Sequence, residues 1–147
     1  MFAGVDINVA QEKDHGVLCL ALVGFTEMRS GDDTDLAEVM HVVLERLKLQ
    51  QERFGLSICE IAEKPGQFIG VLKLKYPRRP WLIEAKQWDR ALDMADKVIA
   101  GTAPRDPRCI GATHFDLGGS GLTPLCKRHG TTFYIENTNQ LVEVAKK

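Results

Sequence analysis

Apolar positions dominate the early chain. Residues 17–25 read Val-Leu-Cys-Leu-Ala-Leu-Val-Gly-Phe, and polar residues take over from Thr26. The run is shorter than the roughly 20 apolar residues that span a bilayer, so it reads as a core helix. Met28-Arg29-Ser30-Gly31-Asp32-Asp33 then ends the buried stretch. In the next segment Leu36, Val39, Met40, Val43, Leu44 and Leu47 recur at intervals of three and four, which predicts an amphipathic helix. Glu38, Glu45, Arg46 and Lys48 fall mainly on its other side. Asp32, Asp33, Thr34 and Asp35 offer N-caps and negative charge at the positive helix end, and Asp35 with Glu38 suggests a variant capping box. Gly55, just after Phe54, is the expected stop.

Residues 56–62 predict one or two helical turns, followed by a turn at Lys64-Pro65-Gly66-Gln67-Phe68. Pro77 and Pro80 enforce an extended connection. A third long helix is expected over about 83–100, with Trp88, Leu92, Ala95, Val98 and Ile99 buried and Gly101 as its stop. Pro104 and Pro107 mark a loop, residues 110–115 and 131–135 read as strands, residues 118–121 as a flexible turn and 139–147 as a short final helix.

Composition narrows the class without naming a chemistry. A chain of 147 residues fits one domain, residues 1–147 with a core of about 17–136. Its 44% hydrophobic and 27% charged residues are ordinary for a globular protein. A formal net charge of -1 argues against a general nucleic-acid binder. Lys73, Lys75, Arg78 and Arg79 form a local basic patch with Tyr76 and Trp81 interleaved; a solvated charged face is its default reading. No basic region leads into an apolar core at the N-terminus, so synthesis in a cytoplasm without a signal peptide is expected, and no membrane insertion. Cys19, Cys59, Cys109 and Cys126 form no Cys-x-x-Cys pair, so free thiols are expected, Cys19 among them as a small core residue. Cys109-x4-His114 with Cys126-x2-His129 admits a zinc reading, but zinc sites use tighter spacings, and neither metal nor cofactor is expected.

Glu27 carries the chemical interest. It is either the first solvent-facing residue after a core helix or a carboxyl delivered to the core's edge for a purpose. Burial would raise its pKa, as a general acid requires.

Several separated segments resemble cell-wall hydrolases of the spore-cortex-lytic (SleB/CwlJ) type. Residues 20–29, Leu-Ala-Leu-Val-Gly-Phe-Thr-Glu-Met-Arg, resemble that family's apolar helix ending in Glu-Ala-Arg-Gly-Glu. Val42-Val43-Leu44-Glu45-Arg46-Leu47 is similar to its Val-Val-Leu-Asn-Arg-Val, and Gln67-Phe68 to its Gln-Phe-Ser. Residues 91–101 resemble the helix that precedes its Gly-Ala-Thr-His-Phe motif, which stands here as Gly111-Ala112-Thr113-His114-Phe115. Thr132-Phe133-Tyr134 resembles its closing strand. The matches keep the family's order from about Leu20 to Ile135. Departures exist: Gly31 stands for the signature's second Glu, and Thr131 for a His.

The resemblance implies a mainly helical α+β domain, lysozyme-like or lytic-transglycosylase-like, with a small antiparallel β element and a groove. It implies cleavage of peptidoglycan between N-acetylmuramic acid and N-acetylglucosamine, with Glu27 as acid and base. Arg29, Gln67, Thr113, His114 and Tyr134 are the expected substrate contacts, each with an ordinary packing or surface role as its alternative. Most glycosidases use a second carboxylate. A transglycosylase manages with one, because the muramic acid 6-hydroxyl attacks within the sugar; Asp32, Asp33 or Asp116 would otherwise have to fold back. Expected partners are glycan strands and, in a bacteriophage setting with holin-type release or a place in the virion, tail or baseplate proteins. A tail component with reduced catalysis and a zinc amidase are the competing functions.

Overall fold

The computed structural model describes residues 7–28, 30–64, 84–116 and 121–136, with side chains from residue 16 onward. Arg29, Gln67, the basic patch at 73–79, most of the glycine-rich turn and the expected final helix lie outside the described residues.

The apolar run is the buried end of a longer helix. Helix α1 spans Ile7–Met28, starting ten residues before the expected helix because its polar first half carries no apolar stripe in the sequence. Leu20, Ala21, Val23 and Phe25 are fully buried, and among the described residues α1 packs against each of the other α-helices. Gly24 allows the close approach to α2, Asp33–Leu49: a Cβ there would fall 2.9 Å from Leu36 Cδ1 and closer still to Met40.

Two details of α2 differ from expectation. Its capping box pairs Asp32 with Asp35, whereas Glu38 is buried and binds elsewhere. The helix ends at Leu49, and Gln50 adopts the left-handed conformation (φ 51°) with its N–H on the Leu47 carbonyl. Gln50 Nε2 donates to that same carbonyl at 2.7 Å, which offsets the cost of a non-glycine residue there. Gly55 serves the next turn: its φ is 116°, and a Cβ would lie 2.8 Å from the Ile61 nitrogen. Helix α3, Ile58–Glu63, follows, capped by Ser57.

Helix α4, Ala85–Ala100, matches its predicted span closely and stops at Gly101 (φ 79°). Trp88 meets Phe25 edge-on at 5.9 Å between ring centroids. A 3-10 turn, Pro107–Cys109, then leads to a three-stranded antiparallel sheet of β1 (His114–Asp116), β2 (Thr123–Arg128) and β3 (Thr131–Ile135), in the order β1-β3-β2. The first expected strand shortens to its last residues, because Gly111 takes φ 96° and the chain turns there. Strand β2 is absent from the sequence pattern: Pro124 and a bulge between Pro124 and Cys126 erase its alternation. Helices with a small antiparallel sheet make the domain α+β.

The cysteines overturn the free-thiol expectation. Cys19 is bonded to Cys59, tying α1 to α3, and Cys109 to Cys126, tying the 3-10 turn to β2. The zinc arrangement loses two donors, since Cys109 and Cys126 are bonded to each other.

Candidate functional site

Glu27 occupies the last turn of α1 and is half-buried. The Thr26 hydroxyl beside it donates to the Leu22 carbonyl at 2.8 Å, which satisfies that polar group within the helix. The turn that follows is pinned from α4: Arg90 donates to the Gly31 carbonyl and, at 2.8 Å, to Asp33. Burial raises the Glu27 carboxyl above its ordinary pKa of 4.5.

Glu27 lines a cavity of about 310 Å³ together with Met28, Phe115, Asp116 and Thr131. One wall is the end of α1; the other is the sheet. Phe115 lies opposite Phe133 across β1 and β3, with ring centroids 5.9 Å apart, and Thr131 lies two residues from Phe133 on the same face. Thr131 therefore reaches the cavity because strand alternation points it there. Met28 also borders an adjoining hollow of about 300 Å³ lined by Ser30, Gly31, Asp32, Asp35 and His129. Another hollow, of about 410 Å³, is lined by Glu52, Gly55, Leu56, Glu60, Glu63 and Lys64. It holds no residue of the motifs, and its carboxylates are exposed or at a helix end, so the chemistry is better sought at Glu27.

Thr113 and His114 stand elsewhere than expected. The Thr113 hydroxyl lies 2.9 Å from His114 Nδ1 and accepts the Glu136 N–H at 3.1 Å. The Thr113 carbonyl accepts from Arg46 Nε of α2 at 2.7 Å, and its N–H donates to the Tyr134 carbonyl at 2.9 Å. Glu136 in turn pairs with Arg53 and approaches His114 Nε2 at 3.6 Å. Burial and the nearby Arg46 press His114 down to about 4. This network fastens the motif loop to α2 and β3. Tyr134 is buried in the sheet. None of the three lines the Glu27 cavity.

The acidic residues after Glu27 divide in the same way. Asp32 caps α2 and Asp33 pairs with Arg90. Asp35 is 1% exposed; burial pushes its pKa up, but hydrogen bonds from His129 (2.6 Å) and Arg128 (2.7 Å) prevail and hold it low. Arg128 also reaches Asp106 at 2.7 Å, and Arg105 clasps Glu38 with two 3.0 Å hydrogen bonds. Ligand atoms of Asp32, Asp35 and His129 lie within 4.8 Å of one another, a spacing a cation would tolerate. The Arg128 guanidinium already supplies the positive charge at that point. Gly31 fits this packing: a Cβ would sit 2.8 Å from Asp35 Cβ and 2.9 Å from Met28 Cγ. A glutamate at 31 has no room while Asp35 is so held.

Sequence reasoning assigned no cavity role to Met28, Phe115 or Thr131 and left Asp116 as one of three options. The signal for Asp116 was its place directly after Gly-Ala-Thr-His-Phe at a strand end. Compared with protein-family models, curated proteins and solved structures, the chain matches none.

Proposed function

We propose that this chain is a peptidoglycan-cleaving enzyme of the spore-cortex-lytic type, with a lysozyme-like groove, acting as a lytic transglycosylase through Glu27. The observation that carries the reading is a half-buried carboxyl with raised pKa at the wall of a cavity. The ordered motifs from Leu20 to Tyr134 supply the substrate class. A glycosidic bond breaks when its oxygen receives a proton as it leaves. Glu27, whose hold on its proton burial strengthens, donates it. The muramic acid 6-hydroxyl then attacks the anomeric carbon, and its proton returns to the Glu27 carboxylate. Proximity favours this intramolecular step over attack by water.

The two disulfides favour the same setting, since such bonds persist in oxidising compartments and peptidoglycan lies outside the cytoplasmic membrane. Among the described residues no helix is long and apolar enough to cross a membrane. The zinc-amidase alternative is weakened by the bonding of Cys109 to Cys126. A tail or baseplate role with reduced catalysis draws on Thr131 standing where the resembled family has a histidine.

The test is turnover of purified peptidoglycan by the wild type and Glu27→Gln. The proposal expects anhydromuramic ends from the wild type and a loss of at least about 100-fold in the variant. Absence of wild-type turnover on any glycan would favour the assembly role instead.

A further inference from the structure

Thr131 is a polar side chain at the Glu27 cavity that the cleavage steps leave unused. It opens β3 and is only 9% exposed. Buried hydroxyls are ordinarily hydrogen-bonded. The Thr26 hydroxyl donates to the Leu22 carbonyl, and the Thr113 hydroxyl accepts the Glu136 N–H. The Thr131 hydroxyl has no such partner among the described residues. Nor is it sealed off: among those residues the side-chain polar atom closed to solvent without a partner is His41 Nε2. The Thr131 oxygen therefore keeps an opening, and the space beside it is the cavity. Strand alternation sets Thr131 on the face of Phe133, which pairs with Phe115, a further wall of that space. Met28 and Phe115 give the cavity apolar surface, and Thr131 gives it a group that both donates and accepts.

We propose that Thr131 is a substrate-binding residue whose hydroxyl donates to the acetamido oxygen of a sugar held against Glu27, giving the site a preference for N-acetylated glycan. The inference rests on the glycosidase reading above. An acetamido group carries a methyl beside an amide, so it matches a cavity with two apolar walls and one hydroxyl. Sugar hydroxyl groups have no apolar end to use those walls. Met28 and Phe115 take the methyl out of water while Thr131 satisfies the oxygen. Both sugars at the scissile bond carry such a group. Removing the acetyl takes away the oxygen and the methyl together and leaves an ammonium, which is costly to place beside apolar walls. A site built to hydrogen-bond one substrate group rejects the analogue lacking it, because its own polar group is then left unpaired.

The experiment measures kcat/KM for the wild type, Thr131→Val, Thr131→Ser and Glu27→Gln on purified peptidoglycan, before and after chemical removal of its N-acetyl groups. Thermal melting of each protein controls for folding, and Thr131→Ala is read in place of Thr131→Val if the latter melts early. The wild type should prefer the N-acetylated glycan by at least about 10-fold. Thr131→Val should lose about 10-fold on that glycan and no more than about twofold on the stripped one, since the bond it removes is absent there. Thr131→Ser, which keeps the hydroxyl, should stay within about threefold of the wild type on both. Equal loss on the two glycans, or a wild type that cleaves both equally, overturns the role of Thr131. So does a loss under about twofold in Thr131→Val while Glu27→Gln is inactive; the glycosidase reading then stands. Full activity in Glu27→Gln, or an inactive wild type, would overturn both.

Discussion

At the scale of single residues, Glu27 and two half-buried histidines respond to pH with opposite signs. The folded protein holds Glu27 above its ordinary pKa, so the fold favours its protonated form. Its contribution to stability is full below the unfolded carboxyl pKa and is lost as pH rises through the folded value. Glu27→Gln removes a charge that is poorly solvated at neutral pH, and the variant should melt above the wild type there while losing activity. Scanning calorimetry at neutral and mildly acidic pH checks this: the gap should narrow as the pH falls. His41 and His114 go the other way. Burial, with Arg105 near one and Arg46 near the other, holds both at about 4 instead of 6.5. Their contribution is complete above pH 6.5 and declines as the pH falls toward 4, because the unfolded chain binds protons that the fold refuses. His114→Gln should therefore flatten the melting temperature against pH in that window. The half-buried position of Glu27 at the end of α1 was legible because an apolar run points to it. The roles of Thr113 and His114 were not, because their partner Glu136 lies more than twenty residues along the chain.

At the scale of elements, the turn between α1 and α2 sets the geometry of the site. Arg128 from β2 meets Asp35 and Asp106, both nearly inaccessible, so the hairpin, the N-terminus of α2 and the 3-10 turn share one guanidinium. Arg128→Ala would leave those carboxylates buried and less compensated, at an expected cost of about 3 kcal/mol, readable by urea denaturation. Gly31→Ala forces a Cβ against Asp35, and overpacking of this kind costs about 1–3 kcal/mol. Gly31→Glu should be destabilised at least as much and should not gain activity. The stripes of α2 and α4 were readable from spacing alone, and Gly101 marked a true end. The end of α2 was hidden because a glutamine takes the left-handed cap that a glycine usually fills. Strand β2 was hidden by its proline and bulge.

At the scale of the whole molecule, two disulfides bind helical and sheet parts that the core alone would hold less firmly. Their separations of 40 and 17 residues correspond to about 4 and 3 kcal/mol by loop closure in the unfolded chain. Reduction should lower the unfolding midpoint in denaturant markedly, and a chain made under reducing conditions should start from the weaker state. No spacing rule reveals such a pairing, which is why four cysteines without a Cys-x-x-Cys pair read as free thiols. Together the helices, sheet and disulfides hold Glu27 at a cavity that Thr131 also lines. The most direct test of that arrangement as an active site is mass spectrometry of purified peptidoglycan digested by the wild type and by Glu27→Gln. Glycan fragments with 1,6-anhydromuramic ends are predicted from the wild type and none from the variant. Freed stem peptides with intact glycan strands, or equal digestion by both proteins, would contradict a transglycosylase acting through Glu27.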